Sequence, residues 1–230
     1  MRAANRNYGD KNVIMKALAN NDLPLQREIS KYFYKTSGIY ERTCNYFASM
    51  YRYDWYIVPE VYTDSNDDKK IMADFHKILN YLDGSYIKKI CGDIAREVIV
   101  KGAYYACILE GTSGLILQDL PINYCRTRYS IGPVPVVEFN MSFFDEKFPD
   151  EECRRQVLKL FPSEFAKGYM MYRQGKLNTP DLSGSSSLMT QRNNGWFTLT
   201  PGSVVKFSLT KDDSPLFISA CPSILDLDAA

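Results

Sequence analysis

The chain has 230 residues, 45% of them hydrophobic and 24% charged, with a formal net charge of +1. This length and composition are typical of a soluble globular protein with one large or two small domains and a real core. The balanced charge argues against a protein that simply coats nucleic acid, which is usually basic overall, although it does not exclude a local DNA contact.

The first fifty residues have the periodicity of helices. Residues 10–20 predict a short helix. Asp22 is a good N-cap and Pro24 fits the first turn, so a second helix is expected to begin there and continue to about Tyr51. Ser37-Gly38 predicts a kink in this helix or a split into two.

A strand and two further helices are expected before residue 103. Residues 55–62 read as a strand, with Pro59 indicating an edge position or a bulge. The acidic stretch after it predicts a loop, followed by a helix over 67–82. Ser85 is the expected cap of the next helix, over 86–101, which Gly102 ends.

From residue 103 the period changes to that of strands. The expected elements are a hairpin of 103–110 and 115–120, a strand pair of 123–130 and 134–143, helices over 150–161 and 163–173, an exposed loop over 174–195, and a last hairpin of 196–200 and 204–209. Residues 219–230 resemble the start of a helix that stops after about two turns, which is short for a stable helix. We therefore expect this chain to be part of a longer protein.

These elements predict an α+β fold, with N-terminal and middle helices packed on short antiparallel hairpins. The expected organisation is mainly helical over 1–102, β-hairpins over 103–145, short helices over 146–173, a flexible loop over 174–195, and a hairpin plus the start of a helix over 196–230.

The motifs that suggest chemistry each have an ordinary structural interpretation. His76 is the only histidine and lacks an oriented acid-base partner, because Asp74 lies on another face of its helix. The glycines at 111 and 114 precede neither Lys-Ser/Thr nor a helix, so a hairpin turn is expected there in place of a phosphate loop. The serines at 185–187 lack the strand-to-helix elbow of a nucleophile.

Metal and redox sites are not expected either. Asp64, Asp67 and Asp68 lack the glycine and the terminal glutamate of a calcium loop and fit helix capping better. The six cysteines are scattered, without a C-x-x-C pair, and we interpret them as reduced, small apolar residues. No apolar run spans a bilayer, and the N-terminus lacks the apolar core of a signal peptide. We expect no cofactor, no enzymatic activity, no membrane association, and a cytosolic location in the cell that makes the protein.

The aromatic content is the most informative property, with 17 tyrosines, 12 phenylalanines and two tryptophans. Tyrosine and arginine are enriched at energetically important positions of protein interfaces. The residues that we predict at a subunit interface are Arg27, Tyr34, Arg42, Tyr51, Arg52, Tyr53 and Trp55. Packing in the core is the alternative, and binding of single-stranded nucleic acid is a weaker one because Glu28, Glu41 and Asp54 are interspersed.

The same stretch resembles the N-terminal region of portal proteins of tailed bacteriophages, of the type found in phages of Gram-positive and gut bacteria. The matching residues are Leu25, Arg27, Glu28, Ile29, Ser30, Tyr32, Tyr34, Tyr40, Tyr46, Trp55, Val58 and Pro59. The likeness continues in order at Leu120-Pro121, Tyr124-Cys125, residues 139–145 and Phe161-Pro162. It covers most of the chain.

The resemblance implies a subunit of a dodecameric ring at one capsid vertex, in the virion, after assembly in the host cytoplasm. Such rings pass double-stranded DNA inward, driven by the terminase large subunit, and contact capsid, scaffold and head-tail adaptor proteins. The chain corresponds to the wing of the portal, without stem, clip and crown, so DNA contacts are expected outside it. The alternatives are another virion structural protein, such as a head-tail adaptor, and a small soluble enzyme.

Overall fold

The computed structural model of the protein describes residues 7–51, 58, 68–111, 114–177 and 195–228. It confirms the α+β class. The helices are α1 (Lys11–Ala19), α2 (Leu23–Thr36), α3 (Gly38–Met50), α4 (Asp68–Gly84), α5 (Ile87–Lys101), α6 (Ser142–Lys147), α7 (Glu151–Leu158), α8 (Ser163–Arg173) and α9 (Cys221–Asp228). The strands are β1 (Ala103–Gly111), β2 (Gly114–Asp119), β3 (Cys125–Ile131), β4 (Val134–Asn140), β5 (Trp196–Thr198) and β6 (Val204–Ser208). Short 3₁₀ turns occur at Ile122–Tyr124 and Ile218–Ala220.

The chain divides into two compact units. The helical unit contains residues 1–104, 110–116 and 207–230, and the mixed unit contains residues 105–109 and 117–206. These boundaries differ from the linear division expected from the sequence, because the C-terminal residues return to the helical unit.

Side-chain caps begin the three N-terminal helices, and the cap predicted at Asp22 is confirmed. The Asp10 carboxylate accepts from Asn12 N at 2.8 Å, and the Asp22 carboxylate accepts from Leu25 N at 3.2 Å. Ser37 ends α2 and caps α3, with its hydroxyl accepting from Tyr40 N at 3.4 Å. The helix predicted from Asp22 to Tyr51 is therefore split at Ser37, one of the two expected outcomes.

The core of the helical unit lies among α1, α2, α3, α5 and α9. Its buried residues are Ile14, Ala17, Ile29, Phe33, Tyr40, Cys44, Ala48, Ala95, Ile99, Val100, Ile218, Cys221 and Ile224. The Tyr40 hydroxyl meets the Ser30 hydroxyl at 2.7 Å, which satisfies two buried polar groups with one hydrogen bond. Burial raises the pKa of Tyr40, so its hydroxyl stays protonated.

The N-terminus of α5 lacks the side-chain cap that was predicted at Ser85. The Ser85 hydroxyl donates to Tyr81 O at 2.8 Å, back onto α4, and Tyr86 precedes α5 with a left-handed φ of 54°. The prediction that Ser85 caps α5 is wrong because its hydroxyl is used by the preceding helix. The predicted strand over 55–62 and most of the acidic loop after it lie outside the described residues.

Two three-stranded sheets have the orders β2-β1-β6 and β3-β4-β5. Both early strand pairings are confirmed. The last hairpin is wrong, because β5 pairs antiparallel with β4 whereas β6 lies beside β1. The strand expected to reach residue 143 ends at Asn140, since the side-chain amide of Asn140 accepts from Ser142 N at 3.0 Å where α6 begins. Most of the loop predicted over 174–195 lies outside the described residues.

An aromatic cluster fills the mixed unit. Phe139 packs edge-to-face on Phe143 and Phe165, and Phe144 packs on Phe161 and on Tyr169, with ring centroids 5.1–5.7 Å apart. Aromatic pairs in this geometry contribute beyond the area that they bury. These aromatic residues form a core in the mixed unit, and none of them belongs to the set predicted at a subunit interface.

Three buried thiols make stability fall at alkaline pH. Burial raises the pKa of Cys44, Cys107 and Cys221 from 9.0 to about 12. The folded state therefore holds these thiol protons more tightly than the unfolded state does. Each thiol contributes fully to the free energy of unfolding below pH 9, and that contribution is lost as the pH rises toward 12. We expect the free energy of unfolding in urea to fall between these pH values. Cys44→Ala should lose less free energy of unfolding between pH 9 and 12 than the unchanged protein, after the loss that it causes at neutral pH is subtracted. The same pH dependence in both proteins would contradict the raised pKa of Cys44.

Candidate interaction surface

The described residues were expected to hold no metal site and no membrane span, and the structure describes both points. In the described part of the chain, no group of three or more His, Cys, Asp or Glu side chains is arranged to hold a metal ion. None of the described helices is long and apolar enough to cross a membrane. His76 is exposed on α4, as expected from the sequence.

Helix α3 has two faces of opposite character. One face buries Tyr40, Cys44 and Ala48, at a spacing of four residues. The other carries exposed apolar residues, with exposed fractions of 54% for Ile39, 62% for Tyr46 and 42% for Met50. We call the exposed residues Ile39, Tyr46 and Met50, together with Phe47 at their edge, where it packs on Phe217, the α3 face. Contiguous exposed apolar side chains of this kind mark interaction sites more often than isolated ones do.

Arg27, predicted at a subunit interface, is instead buried within the helical unit. It is only 7% exposed, and its Nε donates to Lys101 O at 3.1 Å. A further contact joins its guanidinium to Asp213 O at 3.5 Å. Arg27 therefore satisfies one carbonyl at the C-terminal end of α5 and joins it to the segment that precedes α9.

The other predicted interface residues divide into three groups. Arg42 and Tyr51 are exposed, which agrees with a contact role without testing it. Tyr34 is half-buried, and its hydroxyl donates to Asn45 Oδ1 at 2.8 Å. Arg52, Tyr53 and Trp55 lie outside the described residues.

An apolar groove, which we call the α5 groove, begins at the C-terminal end of α3. Its lining residues are Tyr51, Cys91, Ile94, Ala95, Val98, Phe207, Ser208 and Leu209. Its volume is about 200 Å³. Pockets for cofactors and drug-sized ligands usually exceed about 300 Å³, so the α5 groove is better matched to one or two side chains of a partner. Sequence reasoning missed this groove because its residues come from three separated segments.

A polar concavity of about 420 Å³ lies on the helical unit, lined by Tyr34, Asn45, Ala48, Ser49, Gly92 and Arg96. Three of its polar side chains are already paired, Tyr34 with Asn45, and Arg96 with Asp93 at 3.1 Å. No acid-base pair or nucleophile is among its lining residues, so it offers no evident chemistry.

The mixed unit holds an arginine-rich pocket of about 290 Å³ between α7 and α8. Asp145 accepts hydrogen bonds from Arg154 at 2.8 Å and from the Tyr169 hydroxyl at 2.6 Å. Burial and this hydrogen bond raise the pKa of Tyr169 to about 12, so its hydroxyl stays protonated near neutral pH and keeps its bond to Asp145. Arg155 is paired with Glu151 and Glu152, so the positive charges of the pocket are balanced by carboxylates.

A buried ion-pair cluster crosses the β3-β4-β5 sheet. The Glu138 carboxylate, 5% exposed, accepts from Arg126 Nε at 2.5 Å and forms an ion pair with Arg128, whose Nε lies 3.1 Å away. The Arg126 guanidinium also stacks on Trp196 at 3.9 Å. Because Arg126 and Glu138 are register partners in neighbouring strands, this cluster fixes strand pairing, and we assign it a structural role.

Comparison with known proteins finds no match among family models, curated proteins or solved structures.

Proposed function

We propose that this chain belongs to a subunit of a phage portal protein, and that it packs beside copies of itself in a ring at one capsid vertex. The observation that carries the proposal is the exposed apolar α3 face, on a helix whose opposite face is core. The ordered resemblance from Leu25 to Pro162 supports the choice of family.

The α3 face, with Tyr51 beside it, supplies part of the area of a protein contact. Five half-exposed residues, Ile39, Tyr46, Phe47, Met50 and Tyr51, are available on α3 and at its end. If each side chain has roughly 200 Å² of surface and exposes about half of it, the five together expose on the order of 500 Å². One partner contributes ~800 Å² to a standard interface. A second surface must supply the rest.

In this proposal the chain acts by shape and association and performs no catalysis. The ring is a dodecamer, as in the family, and lets double-stranded DNA pass. The terminase large subunit supplies the energy for packaging, and capsid or scaffold and head-tail adaptor proteins contact the ring. The protein resides at the portal vertex of the virion and in the host cytoplasm during assembly.

The test is the assembly state of the complete gene product. Native mass spectrometry and negative-stain microscopy should show a closed ring of portal stoichiometry. A stable monomer, or a ring of different symmetry that binds a separately encoded portal, would favour the head-tail adaptor. For residues 1–230 alone we expect a monomeric or weakly associating species in sedimentation at micromolar concentration.

A further inference from the structure

The α5 groove is an apolar concavity open to solvent. Tyr51, Phe207 and Leu209 around it are each nearly half exposed, and Cys91 is partly accessible. An apolar cavity of about 150 Å³ holds a ligand the size of benzene, so the 200 Å³ of this groove fits one tyrosine ring or one branched aliphatic side chain. A partner for the groove should therefore project a single apolar side chain.

The tip of the β3–β4 hairpin projects such side chains. All six residues from 128 to 133 are exposed, with Tyr129 at 55% and Ile131 at 57%. Ile131 pairs with Val134 across a two-residue turn, Gly132-Pro133. Gly132 has a φ of +59°, which suits the first central position of a type II′ turn. We call residues 128–133 the hairpin tip.

The hairpin tip is held in a defined shape. Ser130 and Ile131 are in antiparallel register with Pro135 and Val134, and Pro133 fixes the backbone of the turn. A convex element that is ordered before binding loses little conformational entropy on insertion. Exposed Tyr129 and Ile131 are thus presented as anchors, the kind of residue that fills a pocket at the centre of an interface.

We propose that the hairpin tip of one copy of this chain inserts into the α5 groove of the next copy, with Ile131 as the anchor. Tip and groove are different surfaces, so the contact is heterologous, and repeating it produces a ring if the rotation closes. This contact deepens the proposed function and rests on it, since it names the second surface that the α3 face requires.

The area of the contact accounts for weak association in dilute solution. The five half-exposed side chains Tyr51, Phe207, Leu209, Tyr129 and Ile131 bring on the order of 500 Å² together, well below the ~1,600 Å² of a standard interface. One such contact does not hold a dimer at micromolar concentration. A ring repeats it between every pair of neighbours, where each subunit is held on two sides.

A disulfide trap tests the contact directly, because the groove contains a native thiol. In a Cys153→Ser background, which removes the exposed cysteine, Ile131→Cys should react with Cys91 of another copy. Oxidation is done on concentrated protein at mildly alkaline pH, since burial raises the pKa of Cys91. Each copy carries one tip and one groove, so the expected product is a ladder of dimers, trimers and longer species.

Two controls make the result decisive. Met170→Cys, at a site 61% exposed in the same unit, should give at least about tenfold less cross-linked product. Adding Cys91→Ser should abolish the ladder. The proposal is overturned if the ladder does not exceed the Met170→Cys level, if it persists without Cys91, or if the disulfide forms within one chain.

The outcome is separable from that of the proposed function. Rings of the complete gene product without a ladder would leave the portal assignment standing and remove this contact. A Cys91-dependent ladder without rings would keep the contact and remove the portal assignment.

Discussion

Gly102→Ala is expected to destabilise the helical unit by ~3 kcal/mol or more. Gly102 follows α5 with a φ of +92°, where a side chain is strained. A Cβ there would also collide with the backbone of Asp213 and Ser214. The collision is with backbone, so no side-chain rotation relieves it.

The surrounding hydrogen bonds explain why this site has no room to relax. Gly102 N donates to Val98 O at 2.7 Å, Leu216 N donates to Ile99 O at 3.0 Å, and Arg27 Nε donates to Lys101 O at 3.1 Å. The last carbonyls of α5 are therefore satisfied by α2 and by the chain that returns before α9. Moving the Asp213 backbone away would disturb the bond from Leu216 N to Ile99 O and the contact of the Arg27 guanidinium with Asp213 O. A hydrogen bond of this kind contributes about 1 kcal/mol.

Gly132→Ala is the matched control for the Gly102 prediction. Gly132 also has a positive φ, +59°, but an added Cβ would meet nothing within 4 Å. Its expected cost is about 1–2 kcal/mol, from backbone conformation alone. Urea unfolding of both variants, followed by circular dichroism, measures the difference. Equal losses in the two variants would show that the Asp213 backbone moves aside to accommodate the new Cβ. Backbone strain alone would then account for the loss of stability.

Local signals predicted the elements, and tertiary packing decided their partners. Asp10, Asp22 and Ser37 act on amides two or three residues away, so the helix starts could be read from the sequence. The pairing of β5 with β4 could not, because the sequence shows only that Trp196–Thr198 and Val204–Ser208 are extended and close. A short intervening turn predicts a hairpin, and here it separates strands of two sheets.

The exposed surface of α3 could not be predicted from the sequence either. In this part of the sequence Ile39 or Tyr40, Phe47 and Met50 all fall near helical spacing, so periodicity leaves open which face of the helix packs. The structure buries Tyr40, Cys44 and Ala48, since the small Cys44 and Ala48 side chains let α5 approach closely. Larger residues are left outside on the opposite face. The surface therefore follows from which face packs, which periodicity alone does not specify.

Tyr46→Lys is expected to prevent ring assembly of the complete gene product while leaving the fold intact. Tyr46 is the most exposed member of the α3 face and lies in the middle of the helix. Lysine keeps a good helix propensity there, so the stability change should stay within about 0.5 kcal/mol. In an interface, the change removes an aromatic anchor and places a charge against apolar surface, which costs ~2 kcal/mol or more at each contact.

A loss of that size weakens each contact about thirtyfold, and a closed ring repeats it at every interface. Leu160→Lys is the control, because Leu160 is 72% exposed but lies in the mixed unit, away from the α3 face. Ring yield from native mass spectrometry and the melting temperature of residues 1–230 are measured together. Lost rings with an unchanged melting temperature, in Tyr46→Lys alone, place the α3 face in the contact. If ring yield and melting temperature both fall, Tyr46 is a residue that stabilises the fold. If Tyr46→Lys still forms rings in full yield, the interface does not include the α3 face.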